Sequence, residues 1–220
     1  MGEKIYPDSG VELSPFTAKH YDKLMNTASF GLYKRFIQRA VKAIGVKPGD
    51  HILDLGCGTG RNAALMAKNL SENGSITGLD VSEIMEQQFN KRFENTPNIS
   101  FIRRRIDVPF DLERQFDKIL ISFVIHGFPH QVRKTVLENV ARHLKPGGVF
   151  FMLDFAEFDM AKMPPLHRFV FKTIECKYAF DFIERDWKKI LAEYGFDDFS
   201  ETFYMMKYVR LLRAVKQENG

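Results

Sequence analysis

The chain of 220 residues has only two cysteines, Cys57 and Cys176, too few for a disulfide framework, which excludes a small cross-linked secreted scaffold. No Cys/His spacing makes a zinc site, and no metal is expected. No segment approaches the ~20 apolar residues of a membrane span, and the opening MGEKIYPDSG lacks a signal-peptide core. Charge of neither sign dominates: 32 Lys and Arg against 28 Asp and Glu leave a net charge of +4. The single dense basic run, Arg103-Arg104-Arg105, reads as a solvated strand end, so nucleic acid is not an expected partner. These shortages point to a reduced, cytoplasmic protein and leave peripheral membrane contact open.

What is present fits one globular domain, burying roughly 70% of its unfolded surface. The hydrophobic fraction of 45% and charged fraction of 27% are ordinary. The aromatics are less so: most of the 21 Phe follow position 100, enough to fill a core and also line a pocket for a flat substrate.

Polar residues and prolines make Met1 to Pro15 a loosely held lead-in. Apolar residues at helical intervals then predict two helices between Phe16 and Ile44, separated at Gly31. After the turn Lys47-Pro48-Gly49-Asp50 the pattern alternates. Strands are expected at His51 to Leu55, Ser75 to Asp80, Ile99 to Arg103, Phe116 to Val124 and Val149 to Asp154. Helices are expected at Arg61 to Leu70, from the cap Ser82 to about Phe93, and at Gln131 to Leu144. Such alternation implies an α/β fold with a doubly wound, mostly parallel sheet. The tail departs from it, with helix over Met160 to Phe182 despite Pro164 and Pro165, helix over Glu184 to Tyr194, and two strands from Phe199 to Val215 turning near Met206 and Lys207.

The most informative stretch is HILDLGCGTGRNAAL, His51 to Leu65. An apolar strand ends in Asp54 and meets Gly56, Gly58 and Gly60 before a helix start. A turn without Cβ atoms can take unusual torsions and let a ligand approach the backbone. A dinucleotide fingerprint spaces its glycines differently to seat a pyrophosphate. An acid at the strand end would repel a phosphate and suits a cationic or amino-bearing ligand. Asp80 closes the next strand, where an acid typically takes ribose hydroxyls. The bland alternative for Asp54 is a simple turn cap.

These residues resemble the class I S-adenosylmethionine-dependent methyltransferases, whose glycine-rich first motif and ribose-binding acid match Asp54 to Gly60 and Asp80. The resemblance implies a seven-stranded Rossmann-like sheet ending in an antiparallel hairpin, with an N-terminal helical cover. It further implies S-adenosylmethionine as donor, S-adenosylhomocysteine as product and a small-molecule methyl acceptor. On the same grounds Gly56, Cys57, Gly58 and Gly60 lie under the donor, Asp54 holds its amino group, Asp80 its ribose, and Val81 and Met85 flank the adenine. Ser122, at the end of the fourth strand, joins this set. Asp107 stands where an adenine-binding acid is expected, or else pairs with a neighbouring arginine. His126 and His130, in SFVIHGFPH, lie where acceptor should meet donor, and a histidine there can take a proton from a phenol or enol; the bland alternative for each is a loop histidine bonded to backbone. His126 with Tyr21 forms the candidate catalytic pair; Tyr178 is a further cover residue.

Within that superfamily the chain looks most like the ubiquinone and menaquinone biosynthesis C-methyltransferases. The likeness rests on Tyr21-Asp22-Lys23-Leu24, Ser29-Phe30-Gly31-Leu32, Gly45 to Asp50, Ile121-Ser122-Phe123 and Leu144 to Gly148, and covers roughly Tyr21 to Phe155. It departs at His126-Gly127, where those enzymes typically carry Arg-Asn, and in lacking a Gly-Asp-Ala setting after the third strand. No Asp/Asn-Pro-Pro-Tyr segment and no Pro-Cys follows the fourth strand, which argues against adenine N6 and cytosine C5 chemistry. The expected acceptor is small and aromatic or lipophilic, with quinone-precursor C-methylation the leading instance. Methylation at O or N of another metabolite, a non-catalytic donor-binding protein and a nucleotide-cofactor oxidoreductase are the alternatives. The expected organisation is residues 1–45 as lead-in and helical cover and 46–220 as core, with 156–183 a substrate-cover insertion. A homodimer is compatible with it.

Overall fold

In a computed structural model of the protein, the structure describes Ser9 and residues 32–218. Tyr21 and the greater part of the expected lead-in and helical cover, residues 1–45, lie outside the described residues. Seven strands form one sheet: β1 (His51–Leu55), β2 (Ser75–Asp80), β3 (Ile99–Arg103), β4 (Phe116–Ser122), β5 (Leu144–Phe155), β6 (Phe196–Tyr204) and β7 (Val209–Lys216), in the order β3-β2-β1-β4-β5-β7-β6. The pairings among β1 to β5 are parallel. β7 runs antiparallel between β5 and β6. The doubly wound sheet with its terminal hairpin is therefore present as expected.

Alternate strand side chains enter two different cores, which is why the strands read as nearly continuous apolar runs. Leu53, Ile119, Ile121, Phe150 and Met152 face a layer with Val136, Leu137 and Val140 of α4 (His130–His143) and with Trp187. Ile52, Ile76, Leu120, Phe151 and Leu153 face the other, where α1 (Leu32–Ala43) contributes Phe36, Ile37, Ala40 and Val41. α2 (Arg61–Met66) and α3 (Glu83–Arg92) complete that second layer through Ala63, Met66 and Phe89. The Ser82 side chain caps α3 by accepting from the Met85 N–H, as its sequence position predicts.

The tail differs from expectation in its breaks. The helix expected over Met160 to Phe182 is a 3-10 turn (Met160–Lys162) followed by two helices, α5 (Pro165–Ile174) and α6 (Lys177–Ile183). Extended backbone at Glu175 and Cys176 separates them. α7 (Trp187–Ala192) starts later than predicted, because Asp186 caps it from the Lys189 N–H. β5 extends back to Leu144, so the Pro146-Gly147-Gly148 stretch belongs to the strand rather than to a separate stop. The loosely held lead-in also needs correction at one point: the buried Ser9 hydroxyl donates to the Gly127 carbonyl at 2.6 Å.

Candidate functional site

The carboxyl ends of β1, β2, β4 and β5 share one edge of the sheet. The strand order reverses direction between β1 and β4, which opens a crevice where ligands of open α/β sheets bind. Four acids or hydroxyls terminate or nearly terminate those strands: Asp54, Asp80, Ser122 and Asp154.

The glycine turn after β1 is held tightly. The N–H groups of Gly56 and Cys57 both donate to the Leu79 carbonyl, at 2.8 and 3.0 Å. Gly56, Gly58 and Gly60 all have positive φ. A Cβ on Gly56 would lie 2.5 Å from a methyl of Val124, and one on Gly60 would meet the rings of Phe93 and Phe89. Cys57 is the apolar filler expected of it: it is buried, and its Sγ sits 2.6 Å from where Gly78 would carry a Cβ. Burial and the nearby Asp54 and Asp80 push its thiol pKa well up, so the thiolate is not available as a nucleophile.

Asp54 and Asp80 are treated differently by their surroundings. Asp80 accepts from the Gly58 N–H through one oxygen and from the Ser82 N–H through the other, both at 3.0 Å. Burial raises its pKa, while these amides oppose the rise. Asp54 is fully buried and neither of its oxygens has a hydrogen-bond partner. Burial first, and the Asp80 charge second, push its pKa to about 7. A buried carboxylate without partners is costly and rare. The pair fits a ligand that brings a cationic donor to Asp54 and hydroxyls to Asp80.

Val81, next to Asp80, is a half-exposed apolar side chain, and Met85 is buried with its sulfur 3.9 Å from where a Gly58 Cβ would sit. Asp107 has another partner: Arg105 engages it in bidentate fashion at 3.0 and 2.7 Å. The surrounding loop is pinned by the buried Asn139, which donates to the Ile106 and Val108 carbonyls and accepts from the Phe110 N–H.

His126 sits in a 3-10 turn (Ile125–Gly127) after β4. Its Nδ1 lies 2.8 Å from an Asp154 oxygen, and its Nε2 lies 3.7 Å from a Glu175 oxygen, beyond hydrogen-bond range. Burial opposes charging of the ring, but the Asp154 and Glu175 carboxylates outweigh it and raise the pKa above the ordinary histidine value. Phe155 and Phe182 box the imidazole at ring separations of 5.1 and 6.4 Å. The buried Arg133 guanidinium donates to the carbonyls of Ile125, His126 and Tyr178 and to Asp181, tying the turn to α6. Tyr178 thus enters through its backbone. His130 lines a groove with Lys134, Arg185 and Lys189, of which His126 is not a lining residue.

Asp154, Glu175 and Arg133 were not singled out from the sequence. Asp154 carries the same signal as Asp54 and Asp80, an acid ending an apolar parallel strand. Glu175 and Arg133 offer no such sign. Beside His126, the rings of Phe123, Phe155, Phe171, Phe158 and Phe180 form a linked aromatic wall with separations of 5.1 to 6.4 Å. Among the described residues no group of three or more His, Cys, Asp or Glu side chains could hold a metal ion.

Residues 52–148 match the family model described as a methyltransferase domain. Among curated proteins, the chain is similar to demethylmenaquinone methyltransferases of Staphylococcus carnosus, 34% identical over 139 residues, and Staphylococcus aureus, 28% identical over 158 residues. Those alignments cover 63% and 71% of this chain but 56% and 64% of the relatives, so the chain spans less than two thirds of their length. Among solved structures, a SAM-dependent methyltransferase from Aquifex aeolicus superposes with a TM-score of 0.64 at 19% identity, covering 93% of this chain and 99% of that one. Magnesium protoporphyrin IX methyltransferase from Synechocystis with bound SAM superposes at 0.60 with 21% identity, covering 84% of this chain and 80% of that one.

Proposed function

We propose that this chain is a class I S-adenosylmethionine-dependent methyltransferase, a reading supported by its methyltransferase-domain match and its similar proteins, and that it moves a methyl group to carbon in a small, lipophilic aromatic acceptor of quinone-precursor type. The observation that carries the donor half is Asp54, a buried carboxylate with no partner, set beside the amide-held Asp80. Asp54 takes the amino group of the donor and Asp80 its ribose hydroxyls. Gly56, Gly58 and Gly60 give the ligand a surface free of side chains. Cys57, Val81, Met85 and Ser122 line its flanks. Asp107 is assigned to organising its loop through Arg105 rather than to adenine.

When bound, S-adenosylmethionine supplies a methyl already made electrophilic by its sulfonium. Alignment and exclusion of water then carry much of the rate. His126 does the remaining proton work. With Nδ1–H hydrogen-bonded to Asp154, the Nε2 lone pair, on the side of Glu175, takes the proton of an acidic ring hydroxyl and raises the nucleophilicity of the ring carbon. The aromatic wall from Phe123 to Phe180 receives a flat acceptor. Tyr21, the other candidate catalytic residue, lies outside the described residues. Residues 156–183 enclose the acceptor over a core that runs through the rest of 46–220. The free thiols of Cys57 and Cys176 suit a reducing, cytoplasmic setting.

The test is to incubate the purified chain and labelled S-adenosylmethionine with a demethylated menaquinone precursor in its reduced, hydroxyl-bearing form, and to identify the product by mass spectrometry. A new carbon-bound methyl supports the reading. Label on oxygen or nitrogen, or donor binding with no transfer to any aromatic acceptor, overturns it.

A further inference from the structure

α5 has two apolar faces, and only one of them packs inward. Phe171 belongs to the aromatic wall, 5.1 Å from Phe155 and 5.5 Å from Phe158, and the helix ends at Glu175, which reaches toward His126. On the opposite side Leu166, Phe169 and Val170, spaced i, i+3 and i+4, are exposed to 70%, 67% and 44%. A helix that roofs a site should turn polar residues outward. The neighbouring β6–β7 turn behaves the same way: Met205 and Met206 are 46% and 71% exposed. Tyr208 joins the two features through ring contacts to Phe158 and His167 at 5.0 and 5.9 Å. Met205, Met206 and Lys207 all have positive φ, a conformation disfavoured for side chains of that size. The fold holds a strained turn that presents two methionines to solvent.

Charge around this patch is predominantly positive, with Asp159 just before it lying 3.9 Å from Lys162. From Met160 to Lys177 the chain carries Lys162, Arg168, Lys172 and Lys177, and its single acid, Glu175, is directed at His126. Lys207 adds another positive charge at the methionine turn. Scattered exposed apolar residues need no explanation, but an apolar stripe on a short helix, continued by a second apolar tip and bordered by cations, matches the pattern of an interfacial anchor. Cations at the rim of such a stripe favour a surface of opposite charge.

We infer that α5 and the β6–β7 turn form a docking surface for an anionic lipid bilayer, with Leu166, Phe169, Val170, Met205 and Met206 entering the interface. Seated this way, the helix lies between the acyl region from which a lipophilic acceptor comes and the aromatic wall that its inner face, through Phe171, helps to build. The inference rests on the acceptor class proposed above for its purpose, and on α5 and the turn alone for its geometry.

Flotation of the full chain with vesicles of phosphatidylcholine, with and without phosphatidylglycerol, tests it without any donor or acceptor present. Binding is expected to the anionic vesicles, to weaken with added salt, and to fall about tenfold or more in Leu166→Ser/Phe169→Ser and in Met205→Ser/Met206→Ser. Lys172→Glu should lower it further in the anionic vesicles alone. Calorimetry with S-adenosylmethionine confirms that each variant is folded. No binding, binding indifferent to these variants, or a self-association that the variants abolish in place of vesicle binding overturns the inference. A chain that docks by this surface yet transfers no methyl leaves the docking intact and removes only the proposed acceptor.

Discussion

Asp154, buried at the carboxyl end of β5, holds Nδ1 of His126 at 2.8 Å and so ties the sheet edge to the loop after β4. The consequence is a histidine with a fixed tautomer and a raised pKa. At neutral pH a larger share of His126 is protonated than of an ordinary histidine, so a base role requires the proton to leave first.

Methyl transfer should therefore increase with pH through a midpoint above the ordinary histidine value of about 6.5. Replacing Asp154 with Asn removes the main charge that raises the pKa, so the midpoint of the kcat profile should move down while kcat at its plateau falls. A profile unchanged by Asp154→Asn would count against the pairing.

His126→Ala should reduce kcat by about 10²–10⁴, the usual range for a positioned general base. Donor affinity, read by calorimetry, should stay within a few-fold because Asp54 and Asp80 are untouched. Equal loss of both would mean that the turn, and not the imidazole, was what mattered.

Asp54 has its pKa raised from 3.8 to about 7. For a carboxyl shifted upward, the contribution to stability is fully present below the unfolded value and is lost as pH rises through the folded one. The ligand-free protein should accordingly lose stability between about pH 4 and pH 7, by something on the order of 2–4 kcal/mol from this group. Asp54→Asn should melt higher than the parent at pH 8 without ligand, with the difference shrinking toward pH 5, and should bind S-adenosylmethionine at least about 100-fold more weakly. Thermal melts across pH, with and without donor, read both effects.

Donor binding should also move a proton. An ammonium placed against Asp54 favours its ionised form, so below pH 7 association should release about one proton. Calorimetric heats measured at pH 6 in two buffers of different ionisation enthalpy should differ accordingly. Identical heats would show that Asp54 does not meet the amino group.

Gly56→Ala should cost about 1–3 kcal/mol, from the positive φ of 70° and the 2.5 Å approach to Val124. Val124→Ala in the same chain removes the clash but not the torsional strain. The double variant should recover part of the melting temperature, and a complete recovery would show that torsion contributes nothing there.

Much of this site was legible in one dimension because its signals are local. A strand that ends in an acid, a run of alternate glycines and a second acid after the next strand are all set within about thirty residues of each other, and β1, β2 and β3 begin and end where the apolar pattern changes. The helix after Ser82 was equally clear, since a cap and its first turn are neighbours in the chain.

Sequence alone thus determined the alternation of the core, its glycine bend and the two strand-end acids beside it, because hydrophobic period and turn chemistry act between near neighbours. Only tertiary structure decided that Asp154 and Glu175 flank His126, that Arg133 braces the turn from inside a helix, and that α5 shows an apolar face outward. Those outcomes depend on which distant segments the sheet order brings to one edge, and on which buried charges find partners there, and no local pattern encodes either.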